Sequence, residues 1–320
     1  MKTHSTAKAR PWLVWTVRSV AAAGLVVVAW ACLSSWGAIV HGHPAYAVLL
    51  AVTVTLCVLA ITRSLRTRMP RPGWRLVLRT AVVILALGGI AIVGWLRPFS
   101  AEQPALAAIE SSSTVTVLET PTRIELMPTA TPSATAVFFE PGAKVEARAY
   151  VAILRPLAEA GFTVVIAKQP LAVAFLSIAD FAGVRSDYPA VKRWVMGGHS
   201  LGGVVASIQA EEGDSDPSAP VVGLVLYASF PASDISSALT ARVLSVAATN
   251  DGLATPADIS AAKPLLPAGA TYTQIAGAVH AFFADYGAQP GDGTPTVSHE
   301  KARQEIADAT LAFVREVSGG

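Results

Sequence analysis

The sequence has little cysteine and little charge. Its 320 residues include two cysteines, Cys32 and Cys57, and both lie inside long apolar runs. They are therefore interpreted as small buried hydrophobic residues, and we predict no disulfide framework, no metal site and no cofactor. Only 14% of the residues are charged, against about 25% in globular proteins, and 52% are hydrophobic. This imbalance indicates membrane-spanning segments as well as a globular core.

Acidic residues are absent from the first 99 positions. This segment contains eleven Lys and Arg, whereas the remainder contains thirteen Lys and Arg and twenty-two Asp and Glu. The basic residues stand between apolar runs and are not interleaved with aromatic residues, which argues against nucleic acid as a partner. The chain is therefore predicted to join a basic, apolar N-terminal third to an acidic, globular remainder.

Three long apolar runs occupy that first third, at about residues 20–40, 45–61 and 76–96. A helix needs roughly 17–25 apolar residues to cross a bilayer. A signal peptide has one apolar core of about 7–15 residues, so three longer runs argue against a cleaved leader. We predict a membrane region over residues 1–98 with three transmembrane helices, the second being the shortest.

The basic residues predict an orientation for these spans. Four lie before the first run, at Lys2, Lys8, Arg10 and Arg18, and five arginines lie between residues 61 and 76. The loop between the first two runs has none. By the positive-inside rule, a multi-pass protein of the cytoplasmic membrane with a cytoplasmic N-terminus is expected. Everything after the third span would then be extracytoplasmic.

The remainder of the chain predicts an α/β fold. Residues 99–113, rich in Ala, Ser and Pro, are typical of a linker. Residues 114–320 then alternate predicted strands and helices, including helices over 146–160, 171–181 and 299–317. Such alternation favours a mostly parallel sheet with helices on both faces. The short interval between residues 227 and 243 leaves no room for a large cap domain.

A glycine-flanked serine is the first chemical feature. The pattern Gly198-x-Ser200-x-Gly202 follows an apolar run, residues 193–196, and precedes a helix-forming run, residues 201–211. A strand, a sharp turn and a helix, with serine at the apex, make a nucleophile elbow. Because this short pattern also arises by chance, other residues have to support the interpretation.

A serine hydroxyl needs a base to take its proton and a third group to orient that base. Asp251 directly follows a predicted strand over 243–248, and His280 follows the last predicted strand, over 272–275. The carboxyl ends of parallel strands meet at one edge of the sheet. We therefore predict Ser200 as nucleophile, His280 as general base and Asp251 as the acid that orients it.

Other polar residues in this part are weaker alternatives. His299 is a second candidate base, and Asp234 and Asp258 are alternative acids. His299 and Asp258 lie at predicted helix starts, where capping explains them. His199, inside the elbow, is expected to pack rather than react, and Asp251 itself could be only a turn residue before Gly252.

The N–H groups of Leu201 and Ala143 are predicted to form an oxyanion hole. Leu201 follows the nucleophile, and Ala143 lies in the loop after a predicted strand ending at residue 139. Four residues near the same edge of the sheet are candidate substrate contacts, namely Lys144, Lys168, Phe230 and Phe282. Solvation of the lysines and core packing of the phenylalanines explain these residues about as well as substrate contact does.

Four stretches together carry a family resemblance: residues 139–145, 195–203, 250–252 and 280–293. Over about residues 110–320 the chain resembles the α/β-hydrolase superfamily, and within it the small, lidless α/β hydrolase family 5 proteins related to dienelactone hydrolases. The resemblance implies an esterase-like serine hydrolase with Ser200, Asp251 and His280 as its triad. Ala143 stands where such proteins more often have glycine.

The sequence-based hypothesis is a membrane-anchored serine esterase with a small-molecule ester or lipid-like substrate. The Ala-rich, Arg-over-Lys composition suggests a bacterial source. Two alternatives stay open from the sequence. One is a non-catalytic, hydrolase-like binding domain, and the other is an acyltransferase that uses the same triad.

Overall fold

The computed structural model describes residues 11–66 and 74–319. Several of the basic residues that predict the membrane orientation, namely Lys2, Lys8, Arg10, Arg68 and Arg71, lie outside the described residues. The chain divides into two compact units. The first ends at Arg97, and the second runs from Pro98 onward and includes His41–His43.

The first unit consists mainly of apolar helices. Its helices are α1 (Pro11–Ser34), α2 (Trp36–His41), α3 (Pro44–Arg66) and α4 (Trp74–Trp95). Three of them contain segments long and apolar enough to cross a membrane, with mean hydropathies of 1.8, 2.4 and 2.5: Val14–Ser34, Pro44–Arg66 and Leu76–Trp95. Large apolar side chains on their surfaces are exposed, for example Leu33 at 88% and Leu85 at 73%. A lipid environment would cover such side chains.

The second unit is built on an eight-stranded sheet. Its strands are β1 (Val115–Glu119), β2 (Arg123–Pro128), β3 (Thr135–Glu140), β4 (Thr163–Ala167), β5 (Arg193–His199), β6 (Val221–Tyr227), β7 (Arg242–Ala248) and β8 (Thr271–Ile275). The strand order is β1-β2-β4-β3-β5-β6-β7-β8. β1 and β2 pair antiparallel at one edge, and the strands from β4 to β8 pair parallel. The predicted mostly parallel sheet is therefore confirmed.

Helices cover both faces of this sheet. They are α5 (Ala105–Ala108), α6 (Val151–Glu159), α7 (Asp180–Asp187), α8 (Leu201–Asp214), α9 (Pro256–Ala262) and α10 (His299–Val317). Successive side chains of a strand point to opposite faces. Phe139 thus belongs to the core on the α6 and α10 side, and Phe138 to the core on the α7 and α8 side. This double burial explains why the central strands are continuously apolar.

The helix predicted over residues 171–181 is wrong. The chain there forms two short 3-10 turns, Pro170–Ala172 and Ala174–Leu176, and α7 begins only at Asp180. Leu171 and Ala172 have φ values of 55° and 53°, a left-handed conformation that an α-helix cannot include.

Two other predictions differ from the structure in their details. The helix predicted over residues 146–160 begins as a 3-10 turn, Ala147–Tyr150, before α6. Residues 99–113, predicted as a linker, contain α5, and Phe99 forms a parallel β-bridge with Val145.

Candidate active site

Ser200 stands at a strained turn between β5 and α8, with φ 51° and ψ −124°. Glycines make this turn sterically accessible. A Cβ on Gly198 would lie 2.4 Å from the carbonyl carbon of Gly202, and a Cβ on Gly202 would lie 2.1 Å from the carbonyl oxygen of Glu140. The Ser200 carbonyl accepts a hydrogen bond from Ser229 Oγ at 2.6 Å. These contacts hold the serine at the carboxyl edge of the central strands, as an elbow requires.

His280 and Asp251 form a buried pair at the same edge of the sheet. His280 Nδ1 lies 2.8 Å from Asp251 Oδ2, and the two residues are 1% and 4% exposed. The other carboxylate oxygen accepts hydrogen bonds from the N–H groups of Leu253 and Ala254, both at 2.8 Å. The carboxylate is therefore fixed, and with a proton on Nδ1 it leaves His280 Nε2 as a proton acceptor.

The Asp292 carboxylate binds the backbone of the loop that carries His280. Its Oδ1 accepts hydrogen bonds from the N–H groups of Gly252 (3.2 Å), His280 (3.1 Å) and Gly293 (2.7 Å). Its Oδ2 accepts from the N–H of Ala281 at 2.8 Å. Sequence reasoning missed this residue, although an acid between two glycines in a loop is a signal for backbone capping.

The loop that follows β3, residues 141–146, has nearly all of its N–H groups engaged. Gly142 N donates to Tyr150 Oη at 2.8 Å. Three further N–H groups of the loop donate to backbone carbonyl oxygens: Lys144 N to Ala172 (2.7 Å), Val145 N to Gly142 (3.1 Å) and Glu146 N to Phe99 (3.0 Å). Within the described residues, the N–H groups of Ala143 and Leu201 have no hydrogen-bond acceptor. These are the two donors expected at the oxyanion hole, and both are available to a ligand oxygen.

His199 links this loop to the elbow and packs against His280. Its Nδ1 lies 2.8 Å from Tyr150 Oη, and its ring centroid lies 4.5 Å from that of His280. The Tyr150 hydroxyl thus accepts from the Gly142 N–H and also bonds to the His199 ring. Burial lowers the pKa of His199 well below its usual range, and the neighbouring His280 adds to this effect. His199 is therefore a neutral packing residue.

Comparison with known proteins identifies the family. The sequence profile of the alpha/beta hydrolase family matches residues 136–304, more than half of the chain. The chain belongs to the alpha/beta hydrolase family. Together with the observed sheet, this match confirms the predicted α/β-hydrolase fold. No match was found among curated proteins.

Solved structures of several esterases and hydrolases are similar at low sequence identity. An esterase from Pyrobaculum calidifontis is 16% identical, with a TM-score of 0.48 over 66% of this chain and 89% of that one. A fungal esterase from Rhizomucor miehei is 15% identical, with a TM-score of 0.47 over 67% and 86%. A dienelactone hydrolase-like promiscuous phosphotriesterase from metagenomic libraries is 16% identical, with a TM-score of 0.44 over 64% and 99%. These likenesses concern the fold alone.

Glu140 ends β3 of this hydrolase as a fully buried carboxylate. Its oxygens accept hydrogen bonds from Gln169 Nε2 at 2.7 Å, Gln209 Nε2 at 3.0 Å and Ser177 Oγ at 3.2 Å. Burial raises the pKa of Glu140 to about 7, and the hydrogen bonds from these side chains oppose the rise. This polar cluster lies directly before the loop that carries Ala143, and the sequence did not predict it.

The predicted substrate contacts have different surroundings. Lys144 lies in the loop beside Ala143, with its ammonium 5.5 Å from the centroid of the Phe99 ring. The structure does not support Lys168 as a substrate contact. Its ammonium is buried and lies 2.7 Å from both Glu119 Oε1 and the Thr120 carbonyl oxygen. That ion pair makes Lys168 a structural residue. The two predicted aromatic contacts, Phe230 and Phe282, are half-buried.

The alternative base and acids have partners of their own. His299 stacks on Phe282 with centroids 4.4 Å apart, and its Nε2 lies 3.4 Å from Asp285 Oδ1. Burial, aided by Arg303, lowers the pKa of His299 to about 4. Asp258 caps α9, and Asp234 accepts from the backbone of a neighbouring serine. No group of three or more His, Cys, Asp or Glu side chains that could hold a metal occurs within residues 11–66 and 74–319.

Proposed function

We propose that this alpha/beta hydrolase is a membrane-anchored serine esterase that acts through an acyl-enzyme on Ser200. The observation that carries the proposal is the buried His280–Asp251 pair at 2.8 Å, at the same sheet edge as the strained serine turn. A neutral imidazole with one nitrogen committed to a carboxylate is the base that a serine hydroxyl needs.

The reaction would proceed in two balanced halves. Ser200 Oγ attacks the ester carbonyl carbon while His280 Nε2 takes the hydroxyl proton, and Asp251 stabilises the imidazolium. The carbonyl oxygen becomes an oxyanion that accepts hydrogen bonds from the N–H groups of Ala143 and Leu201. His280 then returns its proton to the departing alkoxide, leaving an acyl-serine. Water repeats the sequence and releases the acid, which restores Ser200.

A fluorophosphonate probe tests this proposal on the full chain in detergent. We expect covalent labelling of the wild-type protein and none of the Ser200→Ala variant. Ser207→Ala is a matched control, because Ser207 lies on the same helix and its hydroxyl bonds to the Gly203 carbonyl at 2.8 Å. A folded wild-type protein that is not labelled, or equal labelling of Ser200→Ala, would overturn the esterase proposal and favour a binding domain.

Product analysis separates hydrolysis from acyl transfer. Esters of increasing acyl-chain length, from small soluble esters to lipid-like ones, would be offered with and without an added alcohol. Release of free acid at the same rate in both conditions is expected for an esterase. Transfer to the alcohol as the main product would instead make the chain an acyltransferase.

We further propose that the hydrolase unit lies outside the cytoplasmic membrane. The support is the distribution of arginine and lysine around the three apolar helices, with five arginines between residues 61 and 76. A reporter that is active only in the cytoplasm, fused to the C-terminus, should be silent, whereas alkaline phosphatase at the same position should be active. The opposite pair of results contradicts this orientation.

A further inference from the structure

A short segment, Pro98–Glu102, opens the hydrolase unit three residues after α4 ends at Trp95. We call it the strap. Phe99 N donates to the Lys144 carbonyl at 2.6 Å, and Glu146 N donates to the Phe99 carbonyl at 3.0 Å. These two bonds form a parallel β-bridge between Phe99 and Val145. The strap is thus bonded through its backbone to the loop that carries Ala143.

The strap also reaches the loop that carries His280. Ala101 N donates to Glu146 Oε2 at 2.8 Å, and Glu102 N donates to the Asp285 carbonyl at 2.8 Å. The Phe99 ring lies 5.7 Å from the ring of Tyr286, centroid to centroid. One segment therefore connects the loop of the predicted oxyanion donor to the loop of the predicted base.

The Ala143 loop needs support of this kind. Lys144, the next residue, has φ 62°, a conformation that is strained for a side-chain-bearing residue. On one side, Lys144 N is held by the Ala172 carbonyl at 2.7 Å. On the other side, the Lys144 carbonyl is held by the strap. The Ala172 carbonyl and the strap thus hold the backbone of Lys144, the residue that follows the Ala143 donor, from two sides.

We propose that the strap is a positioning element of the active site, which fixes the Ala143 donor through Phe99 and Glu146. The inference rests on the proposed esterase function, and it assigns a functional role to residues that directly follow the third apolar helix. Ser200 and the His280–Asp251 pair have contacts that do not involve the strap, with Ser229 Oγ at the Ser200 carbonyl and Asp292 at the His280 N–H. Loss of the strap contacts should therefore move chiefly the oxyanion donor. Misplacement of such a group by about 1 Å can cost on the order of 100-fold in rate.

The test uses full-length variants in detergent with a short-chain ester. Phe99→Ala keeps the two backbone bonds of the bridge but removes the ring that packs against Tyr286. Glu146→Ala removes the acceptor of the Ala101 N–H. We expect both changes to loosen the strap and to lower kcat by about 10- to 100-fold with KM unchanged. Glu146→Gln keeps an acceptor oxygen for the Ala101 N–H and should restore most of the lost kcat. Leu106→Ala, a change at a 37% exposed residue of α5, is the control for removal of an apolar side chain from the same region.

A second measurement does not depend on activity. Amide hydrogen exchange in a peptide that covers residues 142–146 should be faster in Phe99→Ala than in the wild type, while a peptide from β8 should be unchanged. Unaltered kcat and unaltered exchange in both alanine variants would overturn the strap proposal, as would a fall in kcat that Leu106→Ala matches. If the wild-type protein neither cleaves esters nor reacts with the probe, the proposed function fails, and the exchange data still decide the role of the strap.

Discussion

Substitution of Asp292 should weaken both the stability and the activity of this hydrolase, by an amount that depends on how many N–H groups are left unpaired. Asp292 accepts four backbone hydrogen bonds, from Gly252, His280, Ala281 and Gly293. His280 and Ala281 are 1% and 4% exposed, whereas the two glycines are exposed and can bond to water instead.

The expected loss of stability follows from the number of buried N–H groups, which is two. Each buried N–H that loses its acceptor costs about 1–3 kcal/mol. Asp292→Ala leaves two such groups and should lower the free energy of unfolding by about 2–6 kcal/mol. Asp292→Asn keeps one oxygen and turns an amide donor toward one of the N–H groups, so it should cost about 1–3 kcal/mol. The His280 backbone moves in both variants, and kcat should fall in the same order.

Thermal unfolding of the full chain in detergent, followed by ester hydrolysis below the melting temperature, measures both effects. For a unit of about 200 residues, 1 kcal/mol corresponds to roughly 2–4 °C. The expected order of melting temperatures is wild type, Asp292→Asn, Asp292→Ala. A melting temperature of Asp292→Ala equal to that of the wild type, or an inverted order, would refute the view that Asp292 holds the His280 loop.

Two further predictions concern the buried polar groups around the Ala143 loop. The folded pKa of Glu140, about 7, lies above its ordinary value of 4.5, so the folded chain keeps a proton that the unfolded chain releases as pH rises. Wild-type stability should therefore fall by about 3 kcal/mol between pH 4.5 and 7 relative to Glu140→Gln, as thermal unfolding at a series of pH values would measure. Tyr150→Phe leaves the Gly142 N–H and His199 Nδ1 without partners, and it should cost roughly 2–5 kcal/mol and lower kcat.

Each of these predictions has a clear contrary result. A Glu140→Gln variant whose stability follows the wild type across this pH range would show that Glu140 does not titrate there. For Tyr150, the control is Tyr272→Phe, since no hydrogen bond of the Tyr272 hydroxyl is found within the described part of the chain. Equal losses of stability in the two phenylalanine variants would contradict the role assigned to the Tyr150 hydroxyl.

The fold was predictable because its signals are local. The central strands are continuously apolar and glycines mark the turn around Ser200, so periodicity and turn chemistry were sufficient. The helix predicted over residues 171–181 failed for a physical reason. Its apolar residues fit a helical pattern, but Leu171 and Ala172 adopt positive φ, with the Ala172 carbonyl bonded to the neighbouring Lys144 loop. Tertiary contacts overrode the local preference.

The candidate site was predictable only in part. The chain order of Ser200, Asp251 and His280, and their positions after strands, follow from the sequence. The roles of Asp292, Tyr150 and Glu140 do not, because each bonds at least one group 29 to 69 positions away that only the fold brings near. Lys168 shows the reverse error, since a loop lysine near the sheet edge gives no sign that Glu119 holds it 49 positions away.

The glycines around Ser200 limit how this site can change during evolution. At Gly198 and Gly202, an added methyl group would collide with backbone atoms, at 2.4 and 2.1 Å, so no change of a neighbouring side chain can make room for it. At Gly203 the collision is with the side chain of Ser229, at 2.4 Å. A suppressor substitution is therefore conceivable at Ser229 for Gly203→Ala but has no counterpart for the other two. Such a suppressor would also remove the Ser229 hydroxyl from the Ser200 carbonyl, so even the Gly203 position can change only together with the contacts that hold the serine.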